Sequence, residues 1–166
     1  MNHWQTIQQK IVTLPQLTSI LKERNCQRVV FTNGCFDLVH QGHIHYLSHA
    51  RDLGDMLILG LNSDASIRRL KGPQRPIVSE NERAIMMASF EFIDYVVLFE
   101  EDTPINLISA IIPDILVKGG DYEVEKIVGY DVVTQNGGKV VTLDFITGYS
   151  TTNIIEKIAN QILKTD

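Results

Sequence analysis

The sequence is poor in cysteine, proline and positive charge, and each shortage removes a class of protein. Two cysteines, Cys26 and Cys35, among 166 residues cannot staple a small secreted fold, so apolar burial must hold the core. Five prolines and 11 glycines are too few for a collagen-like or low-complexity chain. With 15 Lys and Arg against 20 Asp and Glu, the net charge of -5 removes the long-range attraction that nucleic acid or an anionic membrane surface needs. A polyanionic ligand must therefore be held by local groups. No apolar run approaches the roughly 20 residues that span a bilayer, and the opening MNHWQTIQQK is too polar for a secretion signal. The expected setting is a reducing cytoplasm, with neither nucleic acid nor membrane as partner.

What is present is a repeating alternation. Apolar, β-branched runs at 29–32, 56–61, 95–99, 115–117 and 140–143 are bounded by Gly, Asp, Asn or Pro and read as strands. Helical spacing lies between them: Ile44, Leu47 and Ala50 on one face, then Ile85, Met86, Ser89 and Phe90, then a helix with Pro104 in its first turn. Strands without polar alternation are buried on both faces. The expected fold is therefore α/β, a Rossmann-like three-layer sandwich with a parallel sheet of about five strands and right-handed crossovers. Residues 1–26 are expected to form a lead-in with a helix over 13–24, and residues 27–166 the main domain. A closing helix over 153–163 carries a possible Asn153/Glu156 capping box.

Ligands of open α/β sheets bind at the carboxyl ends of the strands, near the reversal of strand order. Three segments fall there: TNGCFDLVHQGH, VKGGDY and TGYSTT. The first contains neither a dinucleotide-type GxGxxG nor a GxxxxGK[ST] loop, so phosphate must be bound in another way. His40 and His43, three positions apart around Gly42 at an expected helix start, combine two imidazoles with unpaired backbone N–H groups. Gly42 leaves room for a phosphate or base, and Gly34 gives close access at the strand end. Lys118, Gly120 and Asp121 suit a nucleotide base or ribose, although a Gly-Gly turn with a solvated Asp explains them equally. Ser150, Thr151 and Thr152 supply hydroxyls and N–H groups where the last helix starts, for capping, for phosphate or for both. His45 and His49 have metal-pair spacing but lack the HExxH glutamate and a third ligand. Cys35 has no neighbouring base to activate it and reads as part of the wall.

The run NGCFDLVHQGHIHYL resembles the HxGH nucleotidyltransferases of the cytidylyltransferase-like superfamily. LNSDASIRRLKGPQRPI, FEEDTP, PDILVKGGDY and GYSTTNIIEKI further resemble its branch of D-glycero-β-D-manno-heptose 1-phosphate adenylyltransferases. The glycerol 3-phosphate cytidylyltransferases of the superfamily usually carry RTxGISTT, where this chain has FITGYSTT with Phe145 in the arginine position. The resemblance implies that His40 and His43 hold the triphosphate. It also implies that Asn33, Gly34, Cys35, Phe36, Asp37, Gly42, Lys118, Gly120, Asp121 and Ser150 to Thr152 surround the nucleotide. Asn62, Asp64, Lys71, Arg75 and Arg83 would face the phosphates or the sugar phosphate. Lys71 is also expected to take part in catalysis, on a Gly-Pro-rich stretch that can close as a lid.

The implied reaction is transfer of AMP from ATP to heptose 1-phosphate, with magnesium carried by the triphosphate and no dedicated protein metal cage. Further implications are a homodimer and a separate heptose kinase, because 166 residues leave no room for one. A phosphate nucleophile is already anionic at neutral pH, so cations and N–H donors replace an acid/base dyad. Two other readings stay open: a cytidylyltransferase acting on glycerol 3-phosphate or another polyol phosphate, and a nucleotide-binding sensor without chemistry. Pyrophosphate release with each nucleotide and acceptor separates all three.

Overall fold

The computed structural model describes residues 2–23, 25–120, 122–144, 146 and 148–162. Five parallel strands form one sheet in the order β3-β2-β1-β4-β5. They are β1 (Val29–Gly34), β2 (Met56–Asn62), β3 (Tyr95–Phe99), β4 (Ile115–Gly119) and β5 (Lys139–Leu143), and every apolar run of the sequence is found as a strand. Strand order reverses between β1 and β4, where only Val30↔Ile115 and Phe31↔Leu116 are paired. A crevice is expected at such a point.

Alternate residues of each strand feed opposite faces of the sheet. Val30, Leu57, Leu59 and Leu61 join one core with Tyr46, Leu47 and Ala50 of α3 (Gln41–Arg51) and Ala84, Met87 and Ala88 of α5 (Glu80–Ala88). Val29, Phe31, Met56 and Ile58 join the other with Leu17 of α2 (Leu14–Lys22), Leu107, Ile108 and Ile111 of α6 (Ile105–Ile111) and Val133 of α7 (Tyr130–Gln135). The expected three layers are thus present. Asp55, Asp114 and Asp94 accept the N–H groups of Arg28, Val29 and Leu57 at 2.7 Å each, satisfying donors where β1 and β2 begin.

Several local expectations are corrected. The lead-in holds two helices, α1 (His3–Gln9) and α2, each opened by a capping box, at Asn2/Gln5 and Thr13/Gln16. Between them Val12 N–H donates to Val96 and Val96 N–H to Lys10, so the lead-in covers the β3 edge of the sheet. The last helix, α8 (Thr151–Ile162), starts two residues early: Ser150 Oγ accepts from Asn153 N–H, so the Asn153/Glu156 pair lies inside the helix rather than capping it. Pro104 is the N-cap of α6 and not within its first turn. Ile44 and Met86 are 41% and 38% exposed, because α3 and α5 turn the adjacent rows, Tyr46/Leu47 and Arg83/Ala84/Met87, to the core. Also present is α4 (Asp64–Lys71), with no counterpart in the strand and helix pattern read above. Among the described residues no helix is long and apolar enough to cross a membrane.

Candidate active site

The first segment leaves β1 at Asn33 and Gly34 and re-enters helix at Gln41. Its tightest point is Phe36, a buried residue at φ 44, in the left-handed region that costs a non-glycine residue about 1–2 kcal/mol. The Phe36 ring folds back over Gly34, where a Cβ would lie 2.8 Å from it. Glycine there makes room for this ring. The conformation is braced by Arg83, fully buried, which donates from Nη1 to the Cys35 carbonyl (2.6 Å), from Nε to the Val78 carbonyl (3.0 Å) and from Nη2 to Asp64 Oδ1 (2.7 Å).

His40 is the N-cap of α3, and its ring stacks on that of His43 with centroids 3.9 Å apart. The His40 N–H points to His43 Nδ1 at 3.4 Å, so Nδ1 is the acceptor and the ring proton sits on Nε2. Burial, reinforced by the charges of His40 and Lys71, pulls the His43 pKa down to about 4; burial also lowers that of His40. His43 is therefore a neutral N–H donor at physiological pH. Gly42 is required by this stack: a Cβ would lie 3.1 Å from the His40 ring and 3.3 Å from Tyr149 Cβ. Its space is taken by protein, which corrects the expectation that it is open to a ligand.

His43 opens onto a cavity of about 300 Å³ at the carboxyl ends of β1 and β4, lined also by Asn33, Cys35, Lys71, Arg75, Lys118 and Thr151. Its one carboxylate among the described residues, Asp37, is spent within the protein. It accepts from Arg75 Nε (2.6 Å) and from the N–H groups of Ile77 (2.9 Å) and Val78 (2.8 Å). Burial alone would raise the Asp37 pKa, but these donors outweigh it and hold the carboxyl below the usual range. With Asp37 neutralised by Arg75, Lys71 and Lys118 leave the cavity cationic. Among the described residues Arg75 Nη2 is buried without a partner, a donor that an anion can satisfy. The floor is Tyr46, whose hydroxyl lies 2.5 Å from Thr32 Oγ1 and donates to the Val117 carbonyl at 3.2 Å.

A second cavity, of about 400 Å³, adjoins the first and shares Asn33, Gly34, Cys35, Lys118 and Tyr122 with it. Its far wall is Asn62, Leu70, Asp102, Thr103 and Pro104 on one side and Lys126 to Val128 on the other. Asn62 itself is buried and donates to Ser66 Oγ at 3.0 Å.

Asn33, Gly34, Cys35, Phe36, Asp37, His43, Lys71, Arg75, Lys118 and Thr151 thus converge on the first cavity and Asn62 on the second. His40 acts through its stack on His43. Gly120, Ser150 and Thr152 line neither cavity; Ser150 caps α8, and Thr151 Oγ1 donates to the Leu38 carbonyl at 3.3 Å, tying α8 to the loop. Asp121 and Phe145 lie outside the described residues. Arg83 and Asp64 are corrected from substrate contacts to an internal ion pair, since every Arg83 nitrogen is engaged inside the fold. Lys71 closes α4 and does not belong to the loop after it; the loop residues 75–78 are tethered by Asp37. Tyr122 and Tyr149 were missed although they lie within the quoted motifs, because only polar and glycine positions there were counted. The His45 and His49 rings stand 4.0 Å apart. Among the described residues no group of three or more His, Cys, Asp or Glu is placed to hold a metal ion.

Comparison with known proteins agrees with this geometry. Residues 31–157 match the family model described as cytidylyltransferase-like. The chain is 60% identical over 141 residues to the "Bifunctional protein HldE" of Syntrophotalea carbinolica, covering 85% of this chain and 29% of that protein. It is 64% identical over 132 residues to the protein of the same name from Trichlorobacter lovleyi, covering 80% and 27%. The chain therefore spans less than a third of the length of these curated relatives. Among solved structures, a lipopolysaccharide core biosynthesis protein from Thermoplasma volcanium superposes with a TM-score of 0.60 at 28% identity, over 75% of this chain and 99% of that one. Pantothenate synthetase from Thermus thermophilus shares the fold alone, with a TM-score of 0.56 at 15% identity over 87% of this chain and 67% of that one. The match runs from β1 through the histidine pair and the β4 end into α8, over more than half of the chain: the chain belongs to the cytidylyltransferase-like family.

Proposed function

We propose that this chain is an adenylyltransferase that transfers AMP from ATP to D-glycero-β-D-manno-heptose 1-phosphate, giving ADP-heptose and pyrophosphate. The observation that carries the reading is the cationic cavity at the strand reversal, into which His43, Lys71, Arg75 and Lys118 converge while its one described carboxylate is internally paired. Such a lining binds polyanions and offers no base, which suits a nucleophile that is already ionised. The heptose-type motifs favour this acceptor class, and the likeness to proteins named HldE supports it.

In this reading the triphosphate lies in the first cavity and the sugar phosphate in the second. A sugar phosphate oxygen attacks the α-phosphorus in line, the bond to the bridging oxygen breaks, and its electron pair leaves with pyrophosphate. The neutral His43 donates its Nε2 proton in a hydrogen bond to a phosphate oxygen, and His40 holds that ring in place. Lys71 enters from the α4 side and offsets the mutual repulsion of the two anions, and Arg75, its charge met by Asp37, adds the Nη2 donor. These are positioning and charge-stabilising roles, typically worth about 10² to 10³ in rate per donor. Among the described residues no carboxylate cluster is placed to hold a metal ion, so a magnesium ion would be carried by the phosphate oxygens of the substrates and would supply further charge neutralisation there.

The heptose 1-phosphate is supplied by a kinase reaction, and the enzyme works as a homodimer in the cytoplasm, its domain running over 27–166 behind the lead-in. An acceptor screen with ATP and magnesium, scored by pyrophosphate, tests the function: release with heptose 1-phosphate and not with glycerol 3-phosphate is expected. Preference for CTP, or tight ATP binding without turnover on any acceptor, would overturn it.

A further inference from the structure

The two cavities meet along a short wall of Asn33, Gly34, Cys35, Lys118 and Tyr122, and the only cation on that wall is Lys118. It stands at the carboxyl end of β4, beside the strand reversal. Its ammonium donates to Asn33 Oδ1 at 2.5 Å. Among the described residues no carboxylate is paired with it, in contrast to Arg75 and Arg83, whose charges are met by Asp37 and Asp64. An ammonium has three donors, and among the described residues Asn33 takes one of them. A neutral amide as the protein partner orients the group without cancelling its charge. The charge is left for a ligand.

Resting on the proposed transfer between a triphosphate and a sugar phosphate, we propose that Lys118 is a catalytic residue that contacts both anions. One donor meets the attacking phosphate and another meets the α-phosphoryl oxygens. The new bond joins the acceptor oxygen to the α-phosphorus, the bond to the bridging oxygen breaks, and the electron pair departs on pyrophosphate. Lys118 transfers no proton and remains an ammonium throughout. Its work is to hold two like charges together and to meet the charge that builds on the α-phosphoryl group. Neither Lys71 nor Arg75 can do this from where they stand, because each lines the first cavity alone. Burial is compatible with the assignment: it pulls the Lys118 pKa down to about 8, which still leaves the group mostly protonated at neutral pH, and the low-dielectric surroundings screen its charge less than water would.

The test compares wild type, Lys118→Met and Lys118→Arg with magnesium, ATP and heptose 1-phosphate. It measures kcat, the ATP dissociation constant by calorimetry, and kcat/KM against pH. Lys118→Met should lose about 10²-fold in kcat while ATP affinity moves by less than about threefold, because most triphosphate contacts lie elsewhere. Wild-type kcat/KM, which reports free-enzyme ionisations, should fall above about pH 8. In Lys118→Arg that fall should move to higher pH, since guanidinium stays charged. A Lys118→Met enzyme with wild-type kcat overturns the proposal, as does one whose only defect is weaker ATP binding. If Lys118→Met does not fold, the wild-type profile decides, and kcat/KM that stays level through pH 9 overturns the proposal. Wild-type enzyme that releases no pyrophosphate with this acceptor sinks the transfer reading itself, whatever the variants do.

Discussion

The Arg83 guanidinium donates to the Cys35 carbonyl at 2.6 Å, so a helix residue 48 positions downstream holds the turn that leads from β1 toward α3. Its other two nitrogens bond Val78 and Asp64, and the side chain is wholly buried. Replacing it by Met leaves the Asp64 carboxylate and two carbonyls without their donor. Breaking one side of a buried ion pair costs about 3–5 kcal/mol. Arg83→Met should lower the urea unfolding midpoint accordingly and slow turnover by loosening Phe36. An unchanged midpoint would show that the brace carries no energy.

His43→Ala should reduce kcat by about 10² to 10³, which is roughly 3 to 4 kcal/mol of lost transition-state stabilisation. His43 is the imidazole that lines the cavity, and His40 acts behind it. His40→Ala should accordingly cost less. Steady-state kinetics with folding verified by circular dichroism measures both, and a larger loss in His40→Ala would invert the assignment of roles.

Burial of neutral His43 makes stability depend on pH. Its folded pKa is about 4 against about 6.5 when unfolded, so between these values the unfolded chain binds the extra proton. Stability from this residue is full above about pH 6.5 and is lost as pH falls toward 4. Unfolding free energies of wild type should slope upward with pH across that window, and the slope should shrink in His43→Gln. Equal slopes in the two proteins would refute the burial effect.

Asp37 holds residues 75–78 against the β1–α3 loop through Arg75 Nε and the Ile77 and Val78 N–H groups. Hydrogen bonds to charged groups contribute about 1.5–3 kcal/mol, so Asp37→Asn should speed hydrogen exchange at Ile77 and Val78 by roughly 10- to 100-fold. Exchange at buried β2 amides should change far less. If the whole chain exchanges faster in step, the effect is global destabilisation and the tether is not local.

Much of this molecule was legible along the chain. Every strand was, because a strand covered on both faces must be apolar throughout, and Gly, Asp or Asn must break it. The histidine pair was legible for the same local reason: spacing of three at a helix start puts both rings on one side. Helix faces were read less well. Ile44 and Met86 satisfy helical spacing, yet they remain exposed because the neighbouring row of each helix packs on the sheet. The internal partners of Arg83 and Asp37 were not legible for a related reason, since a charged residue in a motif looks the same whether its partner is a ligand or a carbonyl 48 residues away.

The order of residues alone determined the alternation of strand and helix, the parallel sheet and the location of the loop between β1 and α3, because periodicity and turn chemistry are local properties. Only the tertiary structure decided which charges are spent inside the fold and which remain for ligands. Arg83 and Asp37 are matched by partners distant in sequence, whereas Lys118 meets among the described residues only an amide, and it borders two cavities. That distinction depends on distances between segments far apart in the chain, which no spacing along it encodes.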